Sequence, residues 1–558
     1  MKKIIVASAV FLLLVQFVLE LHLSKLDSQT TDEAVHLSAG LTYLTRFDFR
    51  FNPEHPDLVK LLAATPLLFS KLNLPPDGKY WDKAEDYFFD SWRENRAFGE
   101  ELLYQLGNDA GKTLFLARLP MAALTLLLGL LIFSVAMRFW GPAGGLFATV
   151  LYVFDPIVNA HGHLITTDIA VSAGYLVAIY FFWRFLQNPR WRNVVFLAVG
   201  LGLAQLTKYT AIILYPAIFV LLIYFVLSNR QLKNFWRLLG KILVALMLTW
   251  AIIWAGYGFK MSRVPHISNF YEQVLAPNGY SNLKLLSESG AQKALNAARY
   301  ILLPRDYYKG LTMVSLHATG GQDSFLLGQT SKYGWWYYFP VLFAAKTPLP
   351  TLAIIVAAAI LVLTRKKTPR SSFDAGKFFL LAAALYLAFA MTSKTNLGVR
   401  HILPIYPLLF VVSGAIFAVK VRWLKVLAGL AVVVLILESV LTYPYYLSYF
   451  NIAFGGSENG YKVAADSNLD WGQDLYRIKK YLDANNFGEP FVDYAWAGET
   501  ALDYYAVIRR PLSELRPDSK GYLVIGATAL HNLKYDWLKS KSPYARITPS
   551  VFVYKLSP

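Results

Sequence analysis

The 558-residue chain has no cysteine, which excludes disulfides, thiolate catalysis and every cysteine-based metal site. Charge is also scarce: Asp, Glu, Lys and Arg together make up 16% of the residues, well below the roughly one quarter of an ordinary soluble domain. Acids are the rarer sign, 36 against 54 basic residues, for a formal net charge of +18. That excess does not form one patch. The basic residues sit in short clusters between apolar runs, which argues against a nucleic-acid partner and for the orientation signals of a membrane protein. Internal repeats and low-complexity segments are absent too, so solenoids and disordered linkers drop out.

What the chain does have is apolar length. Hydrophobic residues reach 56% and Phe, Tyr and Trp 15%, as suits a protein with many bilayer interfaces to anchor. Apolar stretches predict helices at roughly 4–20, 119–137, 143–158, 167–186, 193–207, 209–228, 238–257, 337–363, 376–392, 402–419 and 423–441, about eleven spans. Met1-Lys2-Lys3 and the following IIVASAVFLLLVQFVL lack a small-x-small cleavage site, so this segment reads as an uncleaved first span. With the N-terminus cytoplasmic, Arg138, Arg184/Arg190/Arg192, Arg230/Lys233/Arg237, Arg365/Lys366/Lys367/Arg370 and Lys420/Arg422/Lys425 all fall on one side, as the positive-inside rule requires. The C-terminus is then extracytoplasmic, in a multi-pass integral protein of the plasma membrane, with bacteria as the expected source.

The fold expected is a polytopic α-helical membrane domain over 1–441, with large outer loops at 21–118 and 258–336. A small extracytoplasmic α/β domain follows over 442–558. There the helical DLYRIKKYLDANN lies among the period-two runs FVDYAWA, GYLVIGA and ITPSVFVYKL. The stretch 58–72, LVKLLAATPLLFSKL, is too short to span and reads as an interfacial helix.

Polar residues collect at the outer ends of the spans. The run TDEAVHLSAGLTYLTRFDFRFNPEHPDLVK (31–60) carries Asp32-Glu33 and Glu54 beside His55. Paired carboxylates at a membrane surface suit general-base work on an acceptor or the holding of a metal. Asp32 and Glu33 after Thr31 equally suit the capped, acidic first turn of a helix. DPIVNAHGHLITTDIA places Asp155, His161, His163 and Asp168 together. The two histidines fit either a structural role or a metal site, and Asp168 either a site or a dipole partner. Lys208 interrupts GLGLAQLTKYTAIILYP, where it either snorkels or offers a point charge to a phosphate. Arg400, beside His401 in TNLGVRHILPIYP, and Arg118 in ARLP are two further cations on the same face.

These motifs resemble the polytopic glycosyltransferases of the GT-C fold, in the protein-O-mannosyltransferase and aminoarabinose-transferase branch (glycosyltransferase family 39-like). The likeness rests on DEA (32–34), NPEHP (52–56), HGHLITTD (161–168), LTK (206–208), GWWYYFPVLFAAKTPLP (334–350) and RHILPIYP (400–407). YPYYLSYFN (443–451) and SNLDWGQDL (467–475) look like a bacterial subgroup of the branch. The resemblance implies a polyprenyl-phosphate-linked sugar as donor, Asp32 as catalytic aspartate with Glu33 beside it, and Glu54 as a functional glutamate. Glu54 is followed here by His55-Pro56, where the aminoarabinose transferases have Lys-Pro. The resemblance also implies Asp168 as the acid opening the fourth span and Lys208 as the carrier-phosphate ligand, with Arg400 and Arg118 assigned by position and charge.

The reaction expected is inverting transfer of a sugar to an acceptor hydroxyl on the outer face, the acceptor being a protein, a glycolipid or a cell-wall polymer. His55, Asp168 and His163 are the remaining site candidates. No cofactor is required on this reading, since a single leaving phosphate can be neutralised by cations; a divalent ion (Mg, Mn or Zn) held by the acidic loop is the alternative. A transporter or flippase of lipid-linked sugars is the rival class, and it would place its charges nearer the midplane.

Overall fold

The computed structural model describes residues 2–76, 79–80, 90–230, 232–260, 303–365, 372–538 and 540–556. The stretch 261–302 of the expected outer loop, and Lys366, Lys367 and Arg370, lie outside them. The chain divides into two compact units: 1–33 with 109–176 and 321–558, and 34–108 with 177–320.

The protein is a multi-pass integral membrane protein, dominated by apolar helices. Among the described residues, seven helices are long and apolar enough to cross a membrane, or eight if one bent pair is a single span. The runs expected as about eleven spans fall on these helices and on others that are bent, joined or shorter than that length. The predicted spans 119–137 and 143–158 fall largely on two helices that meet within Ala110–Val153 at a kink, Gly141 (φ 80°, ψ 178°), which Pro142 follows. Glycine accepts that left-handed φ, and proline cannot donate to the preceding turn. The predicted span 337–363 is two helices, Tyr338–Lys346 and Leu349–Thr364, bent by 113°. Trp191–Thr207 and Ile405–Ala418 are apolar but short.

In the first unit, helix Lys2–Leu26 packs along Ala110–Val153. Small residues bring helices close: a Cβ on Gly414 would lie 2.8 Å from the Gly144 carbonyl oxygen. Nearby, the Trp140 indole donates to the Val411 carbonyl at 2.7 Å. Where no hydrophobic drive separates helix from lipid, such close approach is what holds helices together.

The strands are β1 (Ser324–Leu326), β2 (Gln329–Ser331), β3 (Phe491–Asp493), β4 (Gly521–Gly526), β5 (Ala545–Thr548) and β6 (Val551–Leu556). β1 and β2 form a small hairpin, and the other four a sheet in the order β3-β4-β6-β5. β3 runs parallel to β4, while β6 is antiparallel to both β4 and β5. The expected helix is present as Leu475–Ala484, but it precedes the strands of the sheet instead of lying among them. Val524, Ile525, Val551 and Val553 are fully buried in it.

The second unit contains Trp191–Thr207, the 3-10 turn Tyr209–Ile213 with Leu214–Ser228, Phe235–Gly256 and Arg305–Gly320. It also holds most of Thr31–Arg46 and the helices Leu58–Ala64 and Asp90–Tyr104. The stretch predicted to lie along the interface is helical over Leu58–Ala64, then a 3-10 turn over Thr65–Phe69.

Candidate active site

The segment after the first span is fixed in place by a buried arginine. Arg118 spends all five of its N–H groups. Nε donates to Glu33 Oε1 at 2.7 Å, and Nη2 donates to Glu33 Oε2 at 2.6 Å and to the Ser28 carbonyl at 3.0 Å. Nη1 donates to the carbonyls of Ser24 and Asp27 at 2.8 and 2.7 Å. Glu33 is equally full, accepting also from the Thr30 amide at 2.8 Å and the Ile165 amide at 3.1 Å. Burial works against the Glu33 charge, but the Arg118 guanidinium outweighs it and holds the carboxyl below its usual range. Neither side chain has capacity left for a substrate in this arrangement. Together they tie residues 24–33 to the helix Ala110–Val153 and to the 162–167 turn.

Asp32, one residue earlier, is held differently. Its Oδ2 accepts from Arg400 Nη1 at 3.0 Å, and the same nitrogen lies 3.6 Å from Asp168 Oδ2. Arg400 Nε donates to Ser467 Oγ at 3.1 Å, and the guanidinium lies 4.1 Å from the centre of the Trp471 ring. Asp466 adds a third carboxyl: burial pushes it up to about 6 against the pull of Arg400. One guanidinium thus serves several carboxylates. Asp32 keeps 21% of its side chain exposed, while Asp168 is fully buried. His161 packs its ring edge-on to Trp471, and burial lowers it to about 3, so it is a neutral imidazole.

Three of the residues around Arg400, Asp466, Ser467 and Trp471, sit on the loop 465–474, and the C-terminal sheet aims that loop. Beyond β4, Thr528 donates its amide to Asp470 at 3.1 Å, and its hydroxyl to Asp470 as well. The Asp466 amide donates to the Thr528 hydroxyl at 2.8 Å. Asn468 accepts from the Val399 amide at 3.0 Å, and its carbonyl accepts from Lys346 Nζ at 2.6 Å. The Thr31 amide donates to the Trp471 carbonyl at 3.0 Å, and the Ser28 amide to that of Gln473 at 3.0 Å. Gly472 permits this clamp. Its φ is +108°, and a Cβ there would lie 2.5 Å from the Gln29 carbonyl oxygen.

His163 lies in the same unit but in a separate ionic chain. Its Nδ1 is 3.0 Å from Glu20 Oε2 and its Nε2 3.0 Å from Asp27 Oδ2. Burial opposes a charge on the imidazole, but the bonds to the two carboxylates outweigh it and raise the group to about 9. Asp27 also pairs with Arg477 at 2.7 Å, which in turn pairs with Asp474 at 2.6 Å.

The second unit holds the other sequence candidates. Glu54 Oε1 lies 3.0 Å from His317 Nδ1, and that partner outweighs burial to keep the carboxyl below its usual range. The His55 and His36 rings meet edge-on at 5.4 Å. Buried Lys60 donates to the His55 carbonyl at 2.6 Å and to the Asn52 carbonyl, and burial lowers it to about 7 against the charge of Asp57. Lys208 is a buried, extended residue (φ −156°, ψ 139°) between Trp191–Thr207 and Tyr209–Ile213. Among the described residues, no group of three or more His, Asp or Glu side chains converges as metal ligands do.

Residues 101–254 match the family model of the dolichyl-phosphate-mannose-protein mannosyltransferases. The family likeness is to glycosyltransferases. It agrees with the resemblance carried by the motifs. Among solved structures, the chain is similar to ArnT from Cupriavidus metallidurans, solved in the apo state and bound to undecaprenyl phosphate. The identity is 14% and the TM-score 0.49, with 98% of this chain and 97% of that one covered. It is also similar to the oligosaccharyltransferase AglB from Archaeoglobus fulgidus, solved with an inhibitory peptide and a dolichol-phosphate. There the identity is 10% and the TM-score 0.43, with 93% of this chain and 69% of that one covered. No curated protein matches the chain.

Asp466, Ser467 and Trp471 were not singled out as site residues from sequence, although Ser467 and Trp471 fall in the SNLDWGQDL motif and Asp466 directly precedes it. A cluster of acids, amides and a tryptophan in an otherwise apolar chain is the signal that points to them.

Arg118→Ala should therefore cost about 3–5 kcal/mol of stability, the usual penalty for stripping one partner from a buried ion pair. Arg118→Lys should recover little of it, since an ammonium cannot supply five donors in that fork. Melting of the detergent-solubilised protein checks this. Normal melting with a loss of donor affinity alone would return Arg118 to the phosphate.

Proposed function

We propose that the chain is an inverting glycosyltransferase that moves a sugar from a polyprenyl-phosphate carrier to an acceptor hydroxyl on the extracytoplasmic side of a bacterial plasma membrane. The observation that supports this best is the state of Asp32: a part-exposed carboxylate held at 3.0 Å by Arg400, in a cluster where Asp168, Arg400, Ser467 and Trp471 are buried. A general base has to reach its substrate and be fixed in direction. The match of residues 101–254 to the mannosyltransferase model supports the reaction class.

Asp32 takes the proton from the acceptor hydroxyl as its oxygen bonds to the anomeric carbon. The bond between that carbon and the phosphate oxygen breaks, and its electron pair leaves with the phosphate. Arg400 orients Asp32 and lends positive charge to the transition state. Lys208 is assigned to the donor phosphate from the resemblance, as a point charge. Glu54, with His55 in the same loop, is assigned a supporting role there on the same ground. Glu33 and Arg118 act by holding the loop that carries Asp32.

Asp32→Asn should leave melting unchanged and lower transfer by about a hundredfold or more, the lower range for loss of a general base. The assay is release of carrier phosphate from a labelled polyprenyl-phosphate sugar by purified protein. Near-normal turnover in Asp32→Asn would remove it from the chemistry, and movement of the lipid between leaflets without turnover would favour a transporter.

Lys208→Ala should weaken donor use whatever sugar is attached, by about 1.5–3 kcal/mol for a charge-assisted contact, with Lys208→Arg partly restoring it. Donor saturation curves for the two variants read this directly; unchanged curves would leave the lysine a structural role.

Catalysis is proposed to proceed without an added metal, because one leaving phosphate needs less neutralisation than a diphosphate does. Activity should survive exhaustive chelation. Complete loss, restored by magnesium, manganese or zinc, would overturn this.

A further inference from the structure

A cavity of about 530 Å³ opens where the C-terminal end of the span Arg422–Thr442 meets the segment 449–458 and the turn between β5 and β6. Its wall includes Glu438, Tyr443, Tyr445, Tyr449, Glu458 and Arg546. None of these residues belongs to the cluster of Asp32 and Arg400. We propose that this cavity binds the sugar head group of a membrane glycolipid, with the lipid tail lying on the outward face of Arg422–Thr442.

The lining chemistry selects the head group. Exposed Tyr443 and half-buried Tyr445 give the wall aromatic surface of the kind that suits the C–H face of a pyranose ring. Tyr449 donates to Glu438 Oε2 at 2.9 Å, which fixes a carboxylate in the wall. The cation in the wall, Arg546, is already met by Glu458 at 2.6 Å and lies over the Tyr461 and Phe552 rings at 5.6 and 5.1 Å. With Glu438 as a second acid, the wall carries more negative than positive charge. It therefore favours a neutral, hydroxyl-rich head over a phosphate, whose charge would lie against a carboxylate. The volume falls in the range of roughly 300–1,000 Å³ usual for small-molecule sites.

Continuity with the span selects a lipid over a free sugar. Leu441, in the cavity wall, is 83% exposed, and Val440 and Leu437 on the same helix are also exposed. An apolar strip thus leads from the cavity along a helix that crosses the membrane, which an acyl or prenyl chain can cover and a soluble sugar cannot.

The test uses full-length protein in mixed micelles and two photoreactive probes with the same diazirine-bearing alkyl tail. One has a maltose head, the other a phosphate head. The maltoside probe should label peptides from 437–458 saturably, with unlabelled alkyl maltoside competing, and about fivefold more than the phosphate probe, the discrimination worth one hydrogen bond. Glu438→Gln should reduce this labelling by a similar factor, and Ser457→Trp, which fills the cavity, should abolish it, in variants whose melting is unchanged. Equal labelling by both heads, labelling that does not saturate, or undiminished labelling in a folded Ser457→Trp variant would overturn the proposal. The readout is binding alone, so it stands or falls separately from the transfer chemistry assigned to Asp32.

Discussion

A saturated guanidinium is the constraint on which the first unit depends. Burying the Arg118 charge is affordable only because Glu33 and three carbonyls leave no N–H unmet. Those partners all come from residues 24–33, so satisfying one side chain fixes the path of the whole loop. Asp32 inherits its position from that path. The neighbouring acids of the DEA motif therefore do different work: Glu33 is consumed by the scaffold, and Asp32 stays part-exposed.

The C-terminal sheet completes the arrangement from the other end of the sequence. β4 runs out to Thr528, and Thr528 holds both Asp466 and Asp470. The loop they anchor presents Ser467, and Trp471 just after Asp470, to Arg400. A buried guanidinium between an aromatic face and several carboxylates is costly unless each neighbour is fixed. The sheet fixes them. A segment far along the chain is thereby part of the site's supporting structure.

The membrane class, the first span, the helix Leu475–Ala484 and the three principal strands were legible from periodicity and charge. Those signals depend on burial against lipid or core, which each short segment records by itself. The span count was less legible. Gly141-Pro142 and the Thr347-Pro348 bend change direction within continuous apolar runs, and hydropathy is blind to direction.

The candidate site divides in the same way. Composition and motif order determined which residue types were available: Asp32, Glu33, Asp168, Lys208 and Arg400, and the likeness to lipid-dependent glycosyltransferases. Tertiary structure decided how those residues are shared out. It gave Glu33 to Arg118, gave His163 to Glu20 and Asp27, and set Asp32 and Asp168 around Arg400 with Asp466, Ser467 and Trp471. Sequence names the donors and acceptors that must be satisfied. Which pair meets across a separation of 85 or 368 residues is set by packing, because a buried charge takes the partner the fold brings within reach.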